Sequence, residues 1–327
     1  MDVDAAKYVA MTTVFLTWIA ITSLWADVDP LENQKLLDVG LIALTVPVVW
    51  RIVSHVDRAI LSAMVKRLLL VASSAIALAG LPGLIGGARR VAALGGGPNV
   101  FARIVGVALS LLISENGAVP LRPLLVAIFG GLIVASGSRG GMISVALGVC
   151  VIIAIRGVAD ARRTVKLAAL SAAMVAFLVG MSPIGDRVAA VFRLRVLRLT
   201  IEEQYVSGRD EIAMKAIQYW ESNLWLGGGL GEFKRVTGDY PHNIILEIGA
   251  EAGLVGVVLF LASQYFFVRR LMLNWRALDP AWVGLWVMYV IAAQFSGDLF
   301  DSRAIFVMPV VALLLIRQVN GKRMQVD

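Results

Sequence analysis

The chain has 327 residues, of which 59% are hydrophobic and 16% are charged, and its mean hydropathy is +0.81. A soluble protein would carry roughly a quarter charged residues, so this composition excludes an ordinary soluble domain. The formal net charge of +7 does not indicate a nucleic-acid partner, because most of the excess flanks apolar segments, where Lys and Arg orient membrane spans. These features predict an all-α integral membrane protein in contact with the lipid bilayer.

Apolar runs of span length recur along the chain. A helix needs about 17–25 residues to cross about 30 Å of hydrocarbon, and runs of this kind predict about ten transmembrane helices in a single polytopic domain, 1–327. One long polar interruption, 183–242, separates the seventh span from the eighth. The predicted spans are 8–26, 36–53, 67–86, 100–114, 121–136, 140–156, 165–182, 244–268, 281–297 and 304–319.

The distribution of Lys and Arg predicts the orientation. If the N-terminus is cytoplasmic, the segments on the cytoplasmic side hold more Lys and Arg than the short segments on the other side. This pattern predicts two cytoplasmic termini and an extracytoplasmic loop 183–242. Within that loop, 187–205 has an amphipathic pattern typical of a helix on the membrane surface, with an ordinary solvated loop helix as the alternative.

His242 is the candidate catalytic residue. It follows Tyr240-Pro241 and directly precedes the apolar run 244–268, and it is the only histidine on the predicted outer face. An imidazole has an unperturbed pKa near neutrality, which suits a general base that takes a proton from a hydroxyl. Capping of the following helix, or a hydrogen bond to a carbonyl, is the alternative role.

Two arginines are candidate anion-binding residues. Arg139 lies in Ser136-Gly137-Ser138-Arg139-Gly140 between two apolar helices, and Arg209 opens a predicted loop helix. A guanidinium at a membrane needs a partner, stays protonated, and matches phosphate oxygens with its planar fork. The alternatives are a snorkelling interfacial arginine for Arg139 and an ion pair with Asp210 or Glu211 for Arg209.

Five further polar residues are candidates for supporting roles. Asn99 and Asn243 stand at helix starts, where capping is the expected role. Glu247 should face the bundle interior, toward one of the two arginines, because it would be costly in lipid. Asp298 and Arg303 lie in the loop between the last two spans. Asp298 would orient the histidine or pair with an arginine, or else the charged residues of this loop would form a salt bridge that holds the helices.

We expect neither a metal site nor another cofactor. His55 and His242 fall on opposite sides of the membrane in the predicted topology, and no paired carboxylate motif accompanies either. The single cysteine, Cys150, lies in an apolar run, so an intramolecular disulfide is not possible.

Six short motifs follow one another between about residues 95 and 265. They are Gly97-Pro98-Asn99, Ser136-Gly137-Ser138-Arg139-Gly140, Ser207-Gly208-Arg209, Leu226-Gly227-Gly228-Gly229-Leu230-Gly231, His242-Asn243-Ile244-Ile245-Leu246-Glu247 and Glu251-Ala252-Gly253-Leu254-Val255-Gly256. In this order they resemble the O-antigen ligase and O-antigen polymerase superfamily, polytopic bacterial glycosyltransferases.

The resemblance implies a GT-C-like helical bundle that transfers a glycan, without a metal, from an undecaprenyl-diphosphate carrier at the periplasmic face of the inner membrane. It implies that Arg139 and Arg209 hold the diphosphate and that His242 is the base. The acceptor is a lipid A-core sugar in the ligases of lipopolysaccharide biosynthesis and another lipid-linked repeat unit in the polymerases. Displacement in one step would invert the configuration at the anomeric carbon.

A lipid-linked glycan flippase or transporter is the alternative from another class, although such proteins bind substrate near the bilayer midplane.

The predicted orientation can be tested by cysteine labelling in intact spheroplasts, in a Cys150→Ser background. A membrane-impermeant maleimide should label Lys234→Cys, in the predicted outer loop, before permeabilisation, and Arg276→Cys, in a predicted cytoplasmic loop, only afterwards. The reverse order of labelling would contradict the orientation.

Overall fold

The computed structural model describes residues 3–28, 34–86, 90–94, 97–115, 121–157, 209–275 and 278–315, with a few isolated positions between 162 and 193. All regular secondary structure in these ranges is helical. Five of the described helices are long and apolar enough to cross a membrane: Val3–Leu24, Gln34–His55, Ile60–Ile85, Arg139–Arg156 and Ile244–Asn274. The prediction of an all-α integral membrane protein is therefore confirmed.

The α-helices of the described part of the chain range from 5 to 31 residues in length. In chain order they are α1 (Val3–Ile21), α2 (Gln34–His55), α3 (Arg58–Ala79), α4 (Leu81–Ile85), α5 (Pro98–Ser114), α6 (Arg122–Ala135), α7 (Arg139–Arg156), α8 (Arg209–Ser222), α9 (Glu232–Thr237), α10 (Ile244–Asn274), α11 (Pro280–Ala292) and α12 (Ala304–Leu314). The predicted span 165–182 and the predicted surface helix 187–205 lie outside the continuously described ranges.

The ninth span ends earlier than predicted. Helix α11 stops at Ala292, whereas the predicted span extended to 297. The Ala293 carbonyl accepts a hydrogen bond from the Ile244 amide at 2.9 Å, which anchors the start of α10 beside this chain segment. Gly297 then takes a positive φ of 89°, a conformation that ends regular helix.

The chain divides into two compact units. The first unit comprises Met1–Leu61, Val206–Trp282 and Ala293–Asp327, and the second comprises Ser62–Tyr205 and Val283–Ala292. In the first unit, α1 packs against α10 and α2, α12 packs against α2, and α8 packs against α10. In the second unit, α5 packs against α6 and α7.

An aromatic cluster forms the core of the first unit. Phe15 of α1, Phe260 of α10 and Phe306 of α12 lie with ring centroids 5.5, 5.8 and 6.0 Å apart. Tilted and offset rings at these separations gain more than their buried area alone supplies. Three helices distant in sequence are thereby joined at one point.

A tyrosine compensates for a proline inside α12. Pro309 has no amide hydrogen, so the carbonyl of Ile305, one turn earlier, loses its usual helical donor. The Tyr8 hydroxyl lies 3.2 Å from that carbonyl oxygen and 3.1 Å from the Phe306 carbonyl oxygen. Because lipid offers no hydrogen bonds, such a donor must come from a neighbouring helix.

Helix α10 is broken at Gly253, where φ is 67° and ψ is −167°. Only glycine adopts this region of backbone space readily. The break frees carbonyl groups on one side and amide groups on the other, and a glycine-rich loop meets them. The amides of Gly228 and Gly229 donate to the carbonyls of Ala250 and Glu251, at 2.9 and 3.0 Å.

The other side of the break is satisfied by the same loop. The amides of Leu254 and Val255 donate to the carbonyls of Leu224 and Trp225, at 2.8 and 3.2 Å. The Ala252 carbonyl accepts from the indole of Trp18 at 3.1 Å. Residues 224–229 therefore replace a missing turn of helix, which makes interrupted backbone acceptable inside an apolar unit.

Close helix contacts and two arginines organise the second unit. Gly148 of α7 faces Gly284 of α11 so closely that a Cβ on either would lie within 2.9 Å of the other helix. Small residues at a crossing point allow this approach.

At the C-terminal end of α5, Arg122 and Arg156 donate to the Ile113 carbonyl, at 3.1 and 2.6 Å, and so satisfy an otherwise unpaired helix end.

Gly253→Ala should destabilise the protein by at least about 1–3 kcal/mol, because alanine does not tolerate this backbone conformation and its Cβ would collide with the Trp225 carbonyl group. The measurement is thermal unfolding in detergent. Gly40→Ala in α2 is the matched control. Its Cβ would meet nothing within 4 Å, so its unfolding temperature should be unchanged or slightly raised. Equal unfolding temperatures for the two variants would contradict the account of the break.

Candidate functional site

His242 is held in a strained and well-contacted position. Its φ is 58°, a left-handed conformation uncommon for residues other than glycine. The Tyr240 ring packs edge-on against the imidazole, with centroids 4.4 Å apart, and Asp239 Oδ2 lies 3.8 Å from Nε2. The side chain is 19% exposed. Such a conformation persists only where the surroundings determine it, so the direction of the imidazole is restricted.

Asn243 caps the helix that follows. Its side-chain oxygen accepts from the amides of Ile245 and Leu246, at 3.0 and 3.1 Å. The capping role predicted for Asn243 is confirmed, and it is also the role that the sequence left open for His242. The imidazole is therefore not needed to satisfy the start of α10.

Arg209 lies near the imidazole. It is the first residue of α8, and its Nη1 donates to the Phe295 carbonyl at 2.5 Å. Burial lowers the pKa of His242 below its ordinary value of 6.5, the Arg209 charge lowers it further, and Asp239 partly opposes both. The imidazole is therefore neutral at neutral pH, the form that accepts a proton.

Glu211, one of the two acids that the sequence offered as an ion-pair partner for Arg209, is paired with a lysine. Glu211 Oε1 lies 2.7 Å from the Lys215 Nζ on the next turn of α8. This is the ordinary helix pair between residues four apart.

A lysine that sequence reasoning did not single out joins two glutamates of α10. Lys35 Nζ, in the first turn of α2, lies 2.5 Å from Glu247 Oε1 and 2.6 Å from Glu251 Oε1. Glu247 is 2% exposed and Glu251 is 4% exposed. The predicted burial of Glu247 is confirmed, but its partner in the structure is Lys35 rather than an arginine. The signal in the sequence was a lone lysine that opens an apolar span.

Asp298 and Arg303 have local contacts. Asp298 Oδ1 accepts from the Asp301 amide at 2.9 Å, and the Arg303 guanidinium lies 4.4 Å from the centre of the Phe300 ring. The carboxylate nearest the imidazole among the described ion pairs is Asp239, three residues before it. No pattern in the sequence distinguished Asp239 from other loop acids.

In the second unit, Asn99 contacts the motif that contains Arg139. Asn99 Oδ1 accepts from the Ser138 hydroxyl at 2.7 Å, and Ser138 Oγ accepts from the Gly141 amide at 3.0 Å, which caps α7. Arg139 is the first residue of that helix. Two motifs distant in sequence are thus joined by one hydrogen bond.

The cap predicted at Asn99 is wrong. Gly97 is the N-cap residue of α5, because Pro98 occupies the first helical position and moves Asn99 into the first turn.

A further cation lies at the motif that contains Arg139: Arg90 Nε donates to the Ser136 carbonyl at 3.2 Å. Sequence analysis did not single out Arg90 as a site residue.

The structure therefore divides the candidate residues between the two units. The first unit holds Arg209, His242, Asn243, Glu247, Asp298 and Arg303, and the second holds Asn99 and Arg139. Among the described residues, no group of three or more His, Cys, Asp or Glu side chains could hold a metal ion.

The apolar helices define the class as a multi-pass, all-α membrane protein. Within that class, the family model described as O-antigen ligase (Wzy_C) matches residues 124–261. This match confirms the resemblance to the O-antigen ligase superfamily, and it includes Arg139, Arg209, His242 and Glu247. It supports a membrane glycosyltransferase of the O-antigen ligase or polymerase type.

One solved structure is similar over most of its length. It is a chain of the structure described as "Structural coordination of polymerization and crosslinking by a peptidoglycan synthase complex", with 18% sequence identity, 94% of this chain and 95% of that chain covered, and a TM-score of 0.44. No curated protein matches the chain.

The charges around His242 predict opposite effects of two substitutions. Arg209→Gln should raise the pKa of His242, because it removes a nearby cation, and Asp239→Asn should lower it, because it removes the anion. The measurement is a ¹⁵N-histidine NMR titration in detergent or nanodiscs, in a His55→Gln background, so that one imidazole is observed.

Lys215→Gln is the matched control for this titration, since it removes a cation of the same helix that is paired with Glu211. It should leave the pKa of His242 unchanged. A pKa that falls or stays constant in Arg209→Gln would contradict the proposed electrostatics.

Proposed function

We propose that the protein transfers a glycan from an undecaprenyl-diphosphate carrier to a hydroxyl of a lipid A-core or similar acceptor, at the periplasmic face of the bacterial inner membrane. His242 is the general base, and Arg209 binds the diphosphate. The observation that carries this proposal is the position of His242, whose partly buried imidazole lies near the guanidinium of Arg209, an arrangement that lowers the pKa of the imidazole and favours its neutral form.

The chemistry follows from these two side chains. His242 takes the proton of the acceptor hydroxyl, and the hydroxyl oxygen forms a bond to the anomeric carbon of the donor sugar. The bond from that carbon to the diphosphate oxygen breaks, and negative charge accumulates on the leaving group. A fixed guanidinium stabilises that charge as it develops. One displacement of this kind inverts the anomeric configuration.

Arg139 is proposed as a second diphosphate-binding residue on the sequence resemblance. Its position at the first residue of α7 suits an anion, since helix N-termini carry partial positive charge. The proposal that the reaction needs no metal rests on the resemblance in the same way.

The test is a transfer assay in proteoliposomes that contain the lipid-diphosphate glycan and a lipid A-core acceptor. His242→Ala should lower the transfer rate roughly 10²–10⁴-fold while its unfolding temperature is maintained. Tyr265→Ala, on the exposed surface of α10, is the control that should retain activity. Wild-type transfer should persist in EDTA. Wild-type-like transfer by His242→Ala would contradict the assignment of the base.

The same assay separates the related functions by their products. Transfer to the lipid A-core acceptor indicates a ligase, and elongation of the carrier-linked glycan without that acceptor indicates a polymerase. Movement of the intact lipid-linked glycan across the bilayer, with no bond cleavage, would indicate a flippase and contradict the enzymatic proposal.

A further inference from the structure

Nδ1 of His242 and Oε2 of Glu247 are among the buried side-chain atoms of the first unit that have no hydrogen-bond partner among the described residues. Buried polar groups are nearly always satisfied, because an unpaired one loses its hydrogen bonds to water without replacement. One of these atoms can donate as N–H, and the other can only accept when the carboxyl is ionised. They are chemically complementary.

The local helix geometry brings the two residues to the same end of α10. Asn243 is the N-cap, so His242 occupies the position before the cap and Glu247 the fourth helical position. Apolar side chains at these two positions often pack against each other as a hydrophobic staple, so the two positions are neighbours at a helix start. Tyr240 lies near both residues. Its ring centroid is 4.4 Å from that of the imidazole, and burial raises the pKa of the Tyr240 hydroxyl, to which the charge of Glu247 also contributes.

Lys35 leaves one oxygen of Glu247 for this role. The ammonium binds Oε1 of Glu247 and Oε1 of Glu251, and so compensates for the burial of negative charge. Glu251 is the equivalent residue one turn further along α10, bound to the same lysine. Glu251 is therefore the matched residue for comparison, since it shares the lysine but lies one turn further from His242.

We propose that Glu247 is a positioning residue for His242, with Nδ1–H of the imidazole donating to Oε2 of the carboxylate in the working protein. This inference rests on the proposed function and deepens it. With the proton held on Nδ1, the lone pair on Nε2 is available for the acceptor hydroxyl. The proton of that hydroxyl passes to Nε2, Nδ1 keeps its own, and Glu247 remains ionised beside the imidazolium.

Other charged groups face this pair and enter any pH dependence. Asp239 lies on the Nε2 side of the imidazole, and Arg209 and Tyr240 lie near it. Glu247 is faced by Lys35 from α2, by Glu251 on its own helix and by Asp298 from the loop before α12. Substitutions must therefore be compared with a matched change in the same cluster.

The experiment compares Glu247→Gln with Glu251→Gln. In ¹⁵N-histidine NMR in a His55→Gln background, the neutral imidazole of the unsubstituted Glu247 protein should carry its proton on Nδ1. Glu247→Gln should shift the neutral form toward the Nε2–H tautomer and lower the pKa of His242, since a carboxylate partner favours the imidazolium. Glu251→Gln should change neither.

Kinetics provide a second readout. In the pH profile of kcat, the loss of activity on the acid side should move to lower pH in Glu247→Gln. The value of kcat should also fall about 10-fold or more, though less than in His242→Ala. If Glu247→Gln does not fold, the same measurements are made on Glu247→Asp. This variant keeps a negative charge for Lys35 but moves the carboxylate away from Nδ1, so the same changes in the His242 tautomer and pKa are expected.

The outcomes distinguish the inference from the proposed function. An Nε2–H tautomer with Glu247 intact, or identical shifts in the two glutamine variants, would overturn the pairing even if His242 proves essential for transfer. Absence of transfer by the wild-type protein would overturn the proposed function, whereas the tautomer measurement still decides the pairing.

Discussion

The bridge between Lys35 and two buried glutamates is the interaction on which the first unit depends. Helix α10 is interrupted at Gly253, so its first half, which begins beside His242, is not kept in place by helix continuity alone. Lys35 ties that half to α2 through Glu247 and Glu251. Removal of one member of a buried ion pair typically costs about 3–5 kcal/mol, because the remaining charge is left without compensation. The bridge therefore stabilises the unit and restricts the segment that carries the imidazole.

The break in α10 and the site beside it have a common physical origin. A continuous helix would satisfy its own backbone and leave nothing for the loop to bind. The interrupted helix instead offers carbonyls and amides that residues 224–229 occupy, and this loop follows directly from α8, which starts at Arg209. The Ile244 amide, bound to Ala293, anchors the other end of the half-helix. Arg209 and His242 are thus placed in one unit by backbone hydrogen bonds as well as by side-chain packing.

Much of this architecture could be predicted from the sequence, and the exceptions have identifiable causes. Hydropathy and span length predicted the helical membrane fold, and the position of Asn243 before an apolar run predicted its cap. Glu247 could be placed in the interior because a carboxylate is costly in lipid. Its partner could not be predicted, since Lys35 lies more than 200 residues earlier and no local pattern connects them.

Two other features depend on contacts that a single sequence does not reveal. The break at Gly253 requires the loop at 224–229, which lies elsewhere in the chain. Asp239 lies 3.8 Å from the imidazole of His242, a residue with a left-handed backbone, a conformation that no local sequence pattern marked. The cap at Asn99 was wrongly predicted although the sequence carried the signal, because Pro98 favours the first helical position and so places Asn99 within the first turn.

The most direct test of the central claim is a structure of His242→Gln bound to an undecaprenyl-diphosphate-linked glycan. The account predicts density for the diphosphate against the guanidinium of Arg209, with the anomeric carbon on the side of residue 242. A diphosphate bound away from Arg209, with the sugar out of reach of residue 242, would contradict it.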